Sequence, residues 1–191
     1  MKSRAVALSA ISAGFCALML TLGAYFEIID LISVIVATVF IILPYYYGSK
    51  KGCVLAGLAG GVVALFISGF NFISLVFPFY FLFTMPLTLI NVLLSEKTFF
   101  KGAVWFFVKL LWTLAVGYFL LWYYTAIMGI PLTYDVSFFG KTIDLSGYDN
   151  IYYYFLLAYG LLLMVFYLVY DKFVVATKIA TDRLLKRILK R

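Results

Sequence analysis

Residues 45–61, YYYGSKKGCVLAGLAGG, interrupt a chain that is otherwise strongly apolar. Two lysines flanked by glycines lie between two long hydrophobic runs, and the second run opens on a repeat of small residues. Gly52, Ala56, Gly60, Ala64 and Ser68 recur at every fourth position, with Gly57 and Gly61 beside them. On a helix that spacing gathers them on one face. In lipid, helices gain nothing hydrophobic by meeting, so they associate through close packing, which small residues permit. The stretch therefore reads as a turn at the membrane surface followed by a span that another helix approaches closely.

The composition agrees. Of 191 residues, 66% are hydrophobic and 12% charged, against about half and about a quarter in a soluble domain. Several runs approach the ~20 apolar residues that carry a helix across a bilayer. Alternating segments of the outer-membrane barrel kind are absent, so an all-α integral membrane protein is expected. Six spans are the most economical division, at 5–26, 31–47, 53–68, 72–94, 102–127 and 151–170. The first carries Lys2 and Arg4 ahead of it, as a signal peptide would, but no small-x-small cleavage site precedes a soluble domain, and it reads as a retained span. The turn at Gly69-Phe70-Asn71 is tight, and a re-entrant segment broken at Pro78 or Pro86 is the alternative there.

Charge orients the spans. With the N-terminus cytoplasmic, the inner segments hold Lys2, Arg4, Lys50, Lys51, Lys97, Lys101 and the basic tail, while the outer segments hold Glu27, Asp30, Asp135, Asp144 and Asp149 with Lys141. That asymmetry follows the positive-inside rule, so both termini are expected in the cytoplasm and the bundle in the plasma membrane. Residues 1–170 form the expected transmembrane domain. Residues 171–191 form a cytoplasmic tail in which Phe173, Ala176, Ala180, Leu184 and Ile188 alternate helically with lysines and arginines. Such a basic amphipathic helix is expected along anionic headgroups. Topology thus accounts for the net charge of +7, and no nucleic-acid partner is expected.

Catalytic signals are scarce. The chain has no histidine, the commonest general base and metal ligand. Cys16 and Cys53 have no metal or redox spacing and read as packing residues. A GxxxxGK[ST] phosphate loop is missing. No catalytic residue, metal or cofactor is expected, and a membrane-embedded enzyme is the least supported class. Lys109 lies about two turns into the fifth span, where an ionisable group is functional by default. It either snorkels to the nearer headgroups or meets a partner subunit or a buried acid.

A second set of small residues lies on the first span. Ala5, Ser9, Ala13 and Ala17 fall at intervals of four, widened by Ala10 and Gly14. The face serves either packing inside the bundle or docking of a separate membrane subunit. A solute entering from outside would meet Glu27 and Asp30 after the first span, Asn71 after the third, and the long fifth connection. That connection offers Tyr134, Asp135, Asp144, Tyr148, Asp149 and Asn150, and could close as a lid. Trp112 could stack on a planar ligand. For the aromatics an interfacial belt, and for the loop acids ordinary solvation, are the plainer explanations.

ALSAISAGFCALML at 7–20, preceded by a basic N-terminus, and LISVIVATVFIILPYYYGSKKGCVLAGLAGGVVALFISG at 31–69 resemble the S components of energy-coupling-factor (ECF) transporters. These are the substrate-binding membrane subunits of vitamin and micronutrient importers. The resemblance covers residues 2–94; the second half matches in span count and length. It implies a six-helix bundle with both termini inside, a small-molecule substrate taken from outside, and a transmembrane coupling subunit with two ATPase subunits as partners. It also implies that the small-residue pattern of the first helix meets the coupling subunit, here at Ala13 and Ala17 and more loosely at Ala5 and Ser9. A non-catalytic scaffold or assembly factor of the bacterial cell envelope is the competing expectation.

Overall fold

The computed structural model describes residues 2–47, 49–71, 74–94, 99–129, 135–138, 141–144 and 150–189. Among these residues there are seven α-helices: α1 (Lys2–Tyr25), α2 (Asp30–Ile42), α3 (Lys50–Ile67), α4 (Val76–Phe79), α5 (Met85–Leu94), α6 (Phe99–Trp122) and α7 (Ile151–Leu189). Two four-residue strands, β1 (Asp135–Phe138) and β2 (Lys141–Asp144), pair antiparallel within the connection between α6 and α7. Among the described residues five helical stretches are long and apolar enough to cross a membrane, and Asp30–Tyr46 forms a shorter apolar one. The protein is a multi-pass, helical membrane protein.

The short second stretch reaches further than its helix alone. α2 gives way to a 3-10 turn over Leu43–Tyr47. The steeper rise of that turn brings the pair to about 30 Å, the thickness of a bilayer core. Ser49 then caps α3 by accepting a hydrogen bond from the Gly52 amide at 3.0 Å, a standard N-terminal cap. Across the tight turn after α3, Gly69 and Phe70 both take positive φ values, +66° and 59°. Such a turn is easy for glycine and costs a residue with a side chain about 1–2 kcal/mol. The Asn71 side chain accepts from the Ser74 amide at 3.3 Å and starts the chain on its return.

The return is helical, with a widened centre. α4 leads into a π-helical turn over Tyr80–Thr84, and α5 follows. Both prolines flanking that turn have a reason to be tolerated. Pro78 lies in the first turn of α4, where its missing N–H would have no helical partner anyway. Pro86 would collide with the carbonyl of Leu82 in a regular helix; the π turn, in which the Met85 amide reaches the Tyr80 carbonyl, changes the register just before it.

The chain divides into two compact units, Met1–Phe106 with Val169–Arg191, and Phe107–Leu168. In the first, α1 and α3 run parallel. A Cβ added at Gly52 would lie 2.4 Å from Ser9 Oγ, and one at Gly60 would lie 2.8 Å from Cys16 Cβ and 2.9 Å from the Ala13 carbonyl oxygen. Further along, the Tyr25 hydroxyl donates to the Ile67 carbonyl at 3.2 Å. α2 runs antiparallel to α1, with Phe15 stacked on Phe40 at 5.1 Å and Gly23 against Ser33. In the second unit the facing parts of α6 and α7 pack through glycine notches: Gly117 receives Leu163, and Gly160 receives the Tyr118 hydroxyl.

α7 is one uninterrupted helix of 39 residues. At 1.5 Å per residue it is about 58 Å long, more than the 40–45 Å of a bilayer with its headgroups. No break separates the apolar part from the basic part, so Asp171 and Lys172 are mid-helix residues.

Candidate functional site

The first unit contains a polar cluster inside an apolar bundle, built by three residues of the α4–α5 return. Thr84, Thr88 and Asn91 recur at helical spacing, and Thr84 and Thr88 are fully buried. Opposite them α7 presents Tyr170 and Asp171. The Tyr170 hydroxyl donates to the Thr84 carbonyl at 3.1 Å and shares a 2.7 Å hydrogen bond with the Thr88 hydroxyl. Thr38 of α2, itself fully buried, also reaches the Tyr170 hydroxyl. One turn on, Asn91 Nδ2 donates to Asp171 Oδ1 at 2.9 Å. Each polar group buried among apolar side chains needs such a partner, because leaving one unpaired costs about 1–3 kcal/mol.

Nearer α1, a second polar group surrounds the π turn. The Tyr80 hydroxyl donates to the Gly57 carbonyl at 2.9 Å. Its proton being used there, the Cys16 thiol at 3.1 Å is the donor of the remaining contact. Gly61 admits the rings of Tyr80 and Phe81, since a Cβ at that position would lie 2.6–2.7 Å from them. Ser12 is fully buried, yet its hydroxyl lacks a hydrogen-bond partner among the described residues. Its neighbour Ser9, by contrast, bonds back to the Ala5 carbonyl at 2.8 Å.

The second unit holds the intramembrane cation. Lys109 is 7% exposed. Its ammonium lies 5.8 Å from the centre of the Tyr167 ring, close enough for a cation–π attraction, and its carbonyl accepts from the Thr113 hydroxyl. Protein therefore covers the side chain on the α7 side, so it does not extend along an open lipid face toward the headgroups. At the far end of α6 a π turn spans Tyr123–Ile127. There the Tyr124 hydroxyl is buried without a hydrogen-bond partner among the described residues.

The residues expected at a solute site fall in several places. Glu27 lies in a 3-10 turn after α1, Asp30 begins α2, and Asn71 follows α3. These three share one end of the first unit, because α1 and α3 finish there together. Asp30 and Asn71 hold local backbone amides, of Leu31 and Ser74 respectively, so both have structural work. In the second unit, Asp135 and Asp144 face each other in the strand register. Asn150 takes a positive φ of 65°, and its carbonyl receives the Tyr153 and Tyr154 amides that start α7. Trp112 is 42% exposed on α6. Tyr134, Tyr148 and Asp149 lie outside the described residues. On α1, Ala5, Ser9 and Ala13 are half-buried, Ala17 is buried, and Ser9 and Ala13 abut α3. Gly14 has no neighbouring atom within 4 Å, and Ala10 is exposed.

The threonine–tyrosine cluster was not anticipated. Its trace in the sequence is TMPLTLIN, three polar residues at spacings of four and three in a span that is otherwise apolar. Tyr170 and Asp171 straddle the expected end of the last span, where a tyrosine and an acid are unremarkable. No family model, curated protein or solved structure matches the chain.

Proposed function

We propose that this chain is the substrate-binding membrane subunit of an ECF-type importer. In this reading six spans form one bundle with both termini in the cytoplasm. The short α2 with its 3-10 extension is the sixth crossing beside the five longer ones. A small micronutrient enters from outside, and energy comes from a separate coupling subunit and two ATPases.

The observation that carries the reading is the buried Tyr124 hydroxyl, which has no hydrogen-bond partner among the described residues. It lies at the end of α6 from which the long connection to α7 departs, where a solute with a polar group would complete its hydrogen bonding. A π turn at the same place adds support, since such turns are frequent at functional sites. The coupling subunit would meet α1 on the flank where Ala10 and Gly14 are open beside the half-buried Ala5, Ser9 and Ala13.

An envelope scaffold is the second reading. What favours it is the packing of Ser9 and Ala13 onto α3, which uses part of the small-residue face inside the chain. One experiment separates the two. The tagged protein is isolated from its native host in mild detergent and its companions are identified by mass spectrometry. Recovery of a membrane coupling subunit with two ATPases is the expected result. Recovery of envelope-synthesis proteins without an ATPase would replace the importer with the scaffold.

A further inference from the structure

We propose that the basic end of α7 and the start of α3 together form a contact for anionic phospholipid, independent of the importer reading. Three sets of observations in the first unit converge there.

The far part of α7 is fastened to the bundle. The Tyr46 hydroxyl donates to the Lys178 carbonyl, and Thr181 and Asp182 also lie beside Tyr46. The Lys178 ammonium sits 4.2 Å from the centre of the Tyr45 ring. About two turns earlier on α7, Asp171 is held by Asn91. The helix therefore does not leave the bundle at Tyr170. It is carried along the turn that joins α2 to α3.

That juxtaposition concentrates cations. Lys50 and Lys51 open α3 a few residues after Tyr46, and both are exposed, as is Arg183 on α7. Lysines in the first turn of a helix oppose its dipole. Among the described residues Asp182 is the acid beside Tyr46, one negative charge against those of Lys50, Lys51, Lys178 and Arg183.

The third observation identifies the anion as a lipid. Val175 and Ile179, one turn apart on α7, are 45% and 48% exposed. A phosphate taken by the cations would have apolar side chains beside it to receive acyl chains. Tyr45 and Tyr46 supply the amphipathic rings typical of headgroup depth. A soluble phosphate would use only the charges, whereas a phospholipid uses both surfaces.

The test uses the full-length chain in mild detergent, titrated with phosphatidylglycerol, with phosphatidylcholine or with inorganic phosphate, and bound lipid counted by native mass spectrometry. Phosphatidylglycerol should bind in preference to phosphatidylcholine. Removing three cations in the K50Q/K51Q/R183Q variant should weaken it on the order of a hundredfold, at roughly 1 kcal/mol per cation near an anionic surface. Should that variant fail to fold, K51Q/R183Q reads the same contact and should weaken binding about tenfold or more. The V175Q/I179Q variant should weaken phospholipid binding while leaving any binding of inorganic phosphate unchanged. Equal binding of the two lipids overturns the proposal. So does unchanged phosphatidylglycerol affinity in the cation variants, or competition by inorganic phosphate at equal ionic strength.

Discussion

Tyr170 and Ser12 are both buried hydroxyls, yet their removal should have opposite consequences. The Tyr170 hydroxyl is engaged with the Thr84 carbonyl and with the Thr88 and Thr38 hydroxyls. Tyr170→Phe deletes those bonds and leaves threonine groups short of a partner, at a cost of about 1 kcal/mol. Ser12 has no bond to lose among the described residues. Ser12→Ala removes an unsatisfied polar atom and should be neutral or stabilising by about 1 kcal/mol. Thermal unfolding of both variants in the same detergent checks the pair: Tyr170→Phe should melt below the parent, and Ser12→Ala at or above it. At this scale the sequence reveals a residue's chemistry but little about its partners. Lys109 shows this most clearly, since whether it reaches the headgroups or is covered depends on where Tyr167 of another helix lies.

Helices differ in which of their small residues are structural. Gly60 and Gly14 lie on different helices and both belong to small-residue patterns visible in the sequence. A methyl group at Gly60 meets the Ala13 carbonyl oxygen at 2.9 Å, and backbone cannot swing away. Gly60→Ala should therefore part α1 from α3 and cost about 1–3 kcal/mol. Gly14→Ala meets nothing within 4 Å and replaces the less favourable helix residue, a gain of up to about 1 kcal/mol. Denaturation of the two variants in mild detergent would show one shift in each direction. Loss of stability in Gly14→Ala would mean that this flank of α1 is covered in the isolated protein. The period-four repeat was legible because it depends on spacing alone. Which flank is occupied was not, since α1 carries small residues on both sides of the contact.

For the whole molecule, the proposed topology makes a prediction that does not depend on the cargo. A cysteine reporter at Lys51 should label only from the cytoplasmic side of intact cells, and one at Lys141 only from outside. The native Cys16 and Cys53 are buried and should contribute little background. Labelling of both reporters from the same side would remove the six-crossing arrangement, because an even number of spans between them would then be needed. The same experiment with a reporter at Arg183 tests whether the far end of α7 lies on the same side as the α2–α3 turn, as its contacts with Tyr45 and Tyr46 require.

The sequence by itself determined that the chain crosses a membrane several times as helices. That conclusion needs only run length, composition and the cost of unpaired backbone in lipid, all of which are local properties. It also located the close-packing faces, because small residues at a fixed helical spacing share a side whatever lies opposite. The tertiary structure decided what those faces meet, that α7 continues unbroken past Asp171, and that Thr84, Thr88 and Tyr170 form one buried cluster. These features join residues as much as 86 positions apart. Helical periodicity can say which side of its own helix a residue occupies; only the packing of several helices says which hydroxyl finds a partner there.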